Sequence, residues 1–149
     1  MINKPRKSYI AQDIVIGLVI ILLVGMAFTV NHKKKAATVT LTATQYYQNH
    51  DYANALVAIN ADIAKQPKES DSYNFRGNIE RDKGDAAAAE ADYAQAITLN
   101  PGVLAPYINL VNLELNLGEK EKSNLIITQG LKQFPGQVTL VGLQQLTRE

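Results

Sequence analysis

The sequence predicts an all-α fold, with helical hairpins stacked in series behind one membrane-spanning helix. Three observations predict it. Pro67, Pro101 and Pro135 recur at an interval of 34 residues. Within that period lie two stretches of helical apolar spacing, split by a turn such as Lys83-Gly84-Asp85. Near the N-terminus, Ile14 to Val30 runs for 17 positions without a charged side chain.

The N-terminal part comes first. The chain has 149 residues and a net charge of +1, but the charge is split. Residues 1–35 carry six Lys/Arg against the single acid Asp13, and residues 36–149 carry nine against thirteen acids. The mildly acidic bulk argues against a nucleic-acid partner. A helix over the 17 apolar residues would span roughly 26 Å, near the lower end for a bilayer core. Lys4, Arg6, Lys7, Lys33, Lys34 and Lys35 flank it, where their ammonium and guanidinium groups can reach lipid headgroups. The expectation is a basic tail over 1–13, a transmembrane helix over 14–31 in contact with the lipid bilayer, and a basic linker over 32–35. A cleaved signal, with Gly25-Met26-Ala27 resembling a small-residue cleavage site, and a buried helix of a soluble domain are the competing readings. Three basic residues lie on each side of the span, so the positive-inside rule decides little; the free amino terminus favours a cytoplasmic N-terminus and an extracytoplasmic C-terminal domain.

The repeat follows. Tyr73 and Tyr107, Gly84 and Gly118, Ala55 and Ala89, and Ile63, Ile97 and Leu131 all keep the 34-residue phase. In the middle period Asp71 or Ser72 can cap a first helix through Tyr73, Phe75, Gly77 and Ile79. Gly84 suits a left-handed helix end, and Asp85 can cap the Ala-rich second helix. Ala89, Tyr93, Ala96 and Ile97 fall on one face of it, and Asn100-Pro101-Gly102 stops it. Glu90 and Asp92 are expected on its solvated outer side. In the last stretch, Val138, Val141 and Leu146 are expected to turn inward as a cap over 138–149, with Gln, Arg and Glu outward.

These residues resemble the tetratricopeptide repeat family. Tyr73, Gly77, Gly84-Asp85, Ala89, Tyr93, Ala96 and Pro101 match most of that family's pattern, with Arg76 where Leu is usual and Glu80 where an aromatic is usual. The third period keeps Tyr107, Leu110, Gly118, Ile127, Leu131 and Pro135, with Ser123 where Ala is usual. The first keeps Tyr46, Asp51-Tyr52, Ala55, Ile63 and Pro67, with His50 in place of the turn glycine. The resemblance implies a right-handed α-solenoid of three hairpins at 36–69, 70–103 and 104–137.

Little points to catalysis or cofactors. There is no Cys, and His32 and His50 are the only two histidines, so thiolate chemistry is excluded and His-based sites have little to draw on. Phosphate-loop, dinucleotide, zinc-protease and nucleophile-elbow motifs do not occur. His50, between Asn49 and Asp51, reads as a turn residue. No cofactor and no metal are expected, and the chain is read as a non-enzyme.

What remains is a surface. The family resemblance implies that the first helix of each repeat lines a concave groove for a partner peptide. Carried over by phase, the groove positions hold Thr40, Thr44 and Tyr47, then Asn74, Asn78 and Arg81, then Ile108, Asn112 and Leu115. Asn78 and Asn112, one period apart, are expected to stack along it, each amide able to donate and accept. The family's cationic clamp for C-terminal carboxylates is not matched, since Thr40, Thr44, Ala105 and Asn109 are neutral. Leu56, Leu125 and Ile126 offer an alternative protein-binding face on the second helices. The layout resembles bacterial envelope proteins that hold such repeats beside translocons or assembly machinery. A membrane-tethered scaffold for protein partners is the expected function, and a chaperone-like peptide holder the alternative.

Overall fold

The computed structural model describes residues 41–147. Among these there are seven helices and no strand: α1 (Ala43–Gln48), α2 (Tyr52–Lys65), α3 (Ser70–Lys83), α4 (Ala86–Leu99), α5 (Leu104–Asn116), α6 (Lys120–Gln133) and α7 (Val138–Leu146). Consecutive helices pack on one another, and α3 also packs on α5 and α5 on α7. The odd-numbered helices therefore line one side of the stack and the even-numbered ones the other.

The 34-residue period is visible in the backbone itself. His50, Gly84 and Gly118 all have positive φ, at 57°, 97° and 80°. Each is followed by the same reverse bond: the N–H groups of Asp51, Asp85 and Glu119 donate to the carbonyls of Tyr46, Glu80 and Glu114 at 2.9, 2.8 and 2.8 Å. This satisfies carbonyls that a helix end leaves unpaired. Turns between hairpins repeat as well, with Glu69, Val103 and Gln137 N–H donating to Gln66, Asn100 and Phe134 C=O.

Capping follows local chemistry. Asp51 and Asp85 carboxylates accept from the N–H groups of Asn54 and Ala88 at 3.2 and 3.1 Å, opening α2 and α4. Thr42 and Gln45 form a reciprocal capping box on α1. At α3 the expected cap on Asp71 or Ser72 is displaced. Glu69 takes the N-cap position without a side-chain bond, and the helix begins at Ser70.

Two apolar clusters form the core. One gathers Ala43, Ala55, Ile59, Ile63 and Ile79, and the other Ala89, Tyr93, Ile97, Tyr107, Leu110 and Leu113. Close approach in the middle hairpin requires Gly77. A Cβ there would lie 2.6 Å from Tyr93 Cε1, and the Tyr93 ring is fully buried.

Three expectations are corrected. Asp92 is not on the solvated side of α4: it is 6% exposed, because Arg76 reaches it from α3. The cap helix α7 turns the other way. Leu140 is buried, while Val138, Val141 and Leu146 are 80%, 39% and 58% exposed. In so short a helix Leu140, Leu143 and Thr147 form an equally good inward stripe at i, i+3 and i+7. The localisation as a single-pass membrane protein with an extracytoplasmic domain is also corrected, since no helix among the described residues is long and apolar enough to cross a membrane. The longest have 14 residues, about 21 Å, short of a bilayer core, and they bury one face against neighbouring helices. Residues 14–31 lie outside the described residues, as do Lys4, Arg6, Lys7, Lys33, Lys34, Lys35 and Thr40.

Candidate functional site: the asparagine groove

Helices α3 and α5 face each other through asparagines. Asn74 and Asn78 are one turn apart on α3, so they share a face. From α5, Asn109 Nδ2 donates to Asn74 Oδ1 at 2.9 Å and to Asn78 Oδ1 at 3.3 Å. Asn78 Oδ1 also accepts from Tyr93 O–H at 2.9 Å, which reaches through from α4. Burial pushes the Tyr93 phenol up to about 12, so it stays a donor across the ordinary pH range. With both carbonyl oxygens engaged, the Nδ2 groups of Asn74 and Asn78 and the Oδ1 of Asn109 have no partner among the described residues. The site therefore offers donors from α3 and an acceptor from α5, the complement of a peptide group.

Further along, α1 meets α3. Tyr47 O–H donates to Asp82, and its ring stands edge-on to Phe75 with centroids 5.4 Å apart. Arg81 Nε donates to Asp82 Oδ1 at 2.8 Å. Desolvation acts to raise the Asp82 carboxyl, but the hydrogen bonds from Arg81 and Tyr47 outweigh it and hold the group below its ordinary value. The bond to Asp82 raises the Tyr47 phenol in turn. Arg81 is thus matched by an anion beside it.

Of the residues assigned to the groove by phase, Tyr47, Asn74, Asn78 and Arg81 enter these networks. Thr44 is exposed on α1, and Ile108 and Leu115 are half-buried on α5. Asn112 is exposed three residues beyond Asn109 and is not bonded to Asn78; Asn78 meets Asn109 instead. Sequence phase missed Asn109, Asp82 and Tyr93 as participants. Asn109 stood out only as one of the neutral positions of the unmatched clamp.

On the opposite side, about 200° round α3 from the asparagines, Arg76 makes a second polar centre. Its Nε and Nη2 donate to the two Asp92 oxygens at 2.7 and 2.6 Å, and Nη1 donates to Asn60 Oδ1 at 2.7 Å. The hydrogen bonds to Asp92 raise the Arg76 guanidinium further, against the effect of burial. This centre ties α2, α3 and α4 together and has its polar groups matched.

No family model matches the sequence, and no curated protein matches it. Solved structures do share the fold. The TPR2B domain of yeast Sti1, in complex with pHsp70, superposes with a TM-score of 0.62 at 18% identity, over 71% of this chain and 87% of that one. The Arabidopsis OM64 TPR domain gives 0.63 at 14% identity, over 73% and 90%. The Yersinia enterocolitica type III secretion chaperone SycD, in complex with a peptide of the translocator YopD, gives 0.59 at 14% identity, over 71% and 81%. The described residues thus have a tetratricopeptide-like fold.

Proposed function

We propose that this chain is a protein-interaction scaffold whose groove holds an extended peptide segment of a partner through main-chain hydrogen bonds. The observation that carries the reading is the set of amide atoms left without a partner among the described residues, Nδ2 of Asn74 and Asn78 and Oδ1 of Asn109, held in orientation by the Tyr93 and Asn109 bonds. Asn112 and Thr44, both exposed, would extend the contact at the α5 and α1 positions. Ile108 and Leu115 supply apolar surface beside it. The similar structures of Sti1 and SycD were solved with protein-derived ligands, which is in keeping with this use of the fold. Division of the chain into repeats at 36–69, 70–103 and 104–137, with a cap at 138–149, belongs to the same proposal, as does a role in assembling a larger complex.

The matched Arg81–Asp82 pair favours segments recognised by their backbone over segments ending in acidic side chains. A second reading, a chaperone-like holder of many client segments, is supported by the likeness to a secretion chaperone. Quantitative affinity enrichment separates these readings. The native chain should retain a small set of proteins at fixed stoichiometry, lost from a variant carrying Asn74→Ala and Asn78→Ala. Many weak interactors, equally lost, would favour the holder. Enrichment that survives the double substitution would refute groove binding.

A further inference from the structure

The most anomalous buried group lies away from the groove. Glu114 on α5 is 0% exposed, and both its carboxyl oxygens lack a hydrogen-bond partner among the described residues. Its period mate Glu80 has a side chain 14% exposed that accepts from Lys83 at 3.0 Å. The other deeply buried acid, Asp92, is held by two bonds from Arg76. Glu114 has neither solution. The nearest cation is Lys122 on α6, whose Nζ lies 3.8 Å from Glu114 Oε2 and 3.6 Å from Glu90 Oε1 on α4. One half-exposed ammonium is therefore shared between two carboxyls. Glu119, at the start of α6, adds a third negative charge to the surroundings.

An ionised carboxylate buried without hydrogen bonds is costly, and a neutral carboxyl is much less so. The site therefore favours the protonated acid. We propose that Glu114 is a buried proton site that couples pH to the hold between the α3–α4 and α5–α6 hairpins. Proton uptake tightens the junction of α4, α5 and α6, and proton release loosens it. Burial first, and the Glu90 charge second, push the Glu114 carboxyl above its ordinary value, with Lys122 opposing. A folded state that binds the proton more tightly than the unfolded chain is favoured by acid. Stability from this group is full below the ordinary value of 4.5 and is lost as pH rises through the folded value. Most native carboxylates, ionised and paired, act in the opposite direction.

Two measurements on the full chain test this. In a carbon-13 titration of the glutamate side-chain carboxyls, Glu114 should have its midpoint above 4.5, and a midpoint at or below that value overturns the proposal. In thermal melts, Glu114→Gln mimics the neutral acid. It should melt a few degrees above the native chain near pH 8, and the gain should vanish near pH 4. An offset that is the same at both pH values overturns the coupling. Should the variant not fold, the carboxyl titration of the native chain still decides.

Discussion

Asn109 Nδ2 lies 2.9 Å from Asn74 Oδ1, a contact across 35 residues of sequence that ties α5 to α3. Together with the bond to Asn78, it fixes the orientation of the three amides. Asn109→Ala should cost about 1 kcal/mol in urea unfolding, since water can replace part of what is lost. Asn112→Ala, at an exposed position, should stay within about 0.5 kcal/mol of the native chain. Equal effects at the two positions would contradict this register.

Arg76→Leu restores the residue usual at its position in the family the sequence resembles, yet it should destabilise. Asp92 has an 8% exposed side chain and would lose both guanidinium bonds. The expected loss is up to about 3 kcal/mol, moderated by the partial exposure of Arg76. Adding Asp92→Leu should recover much of it, because two apolar side chains leave no stranded charge. A double-mutant cycle in denaturant reads the coupling.

Gly77→Ala should cost about 1–3 kcal/mol. Its Cβ would stand 2.6 Å from Tyr93 Cε1, and that ring is held by burial and by the Tyr93–Asn78 bond. Chemical denaturation measures the loss. Partner affinity should fall too if the ring shift disturbs Asn78.

His50→Gly should stabilise the chain. His50 has φ 57° where the equivalent turns use Gly84 and Gly118. Relief of the left-handed strain exceeds the added chain entropy of glycine, giving a net gain of about 0.5–1 kcal/mol. Loss of the His50 contact with the Tyr52 hydroxyl at 3.1 Å works the other way and sets the lower end. A rise in melting temperature is the readout.

The turns were legible because their chemistry is local. Gly84, Asp85 and Asn100-Pro101 each declare a helix end within a few residues, and α3 and α4 end and begin there. The polar centres were not legible, because their meaning lies in a partner on another helix. Arg76 looks like a departure from the core and Asp92 like a surface acid until each is seen to satisfy the other. The groove misled phase arithmetic for a similar reason. Stepping 34 residues from Asn78 lands on Asn112, but α3 and α5 are offset, so the residue that meets Asn78 comes one turn earlier, at Asn109. For α7, a nine-residue helix with two apolar stripes gave the sequence no means to choose which side is inward.

Site-specific photo-crosslinking would capture a partner peptide lying along the asparagine groove. A benzoylphenylalanine would replace Asn112, exposed on α5, in one chain, and Ala94, exposed on α4, in another. After irradiation in the native host, a discrete higher-mass adduct is expected from position 112 that Asn74→Ala with Asn78→Ala suppresses, and none from position 94. An adduct from position 94 alone, or one at 112 indifferent to those substitutions, would contradict it.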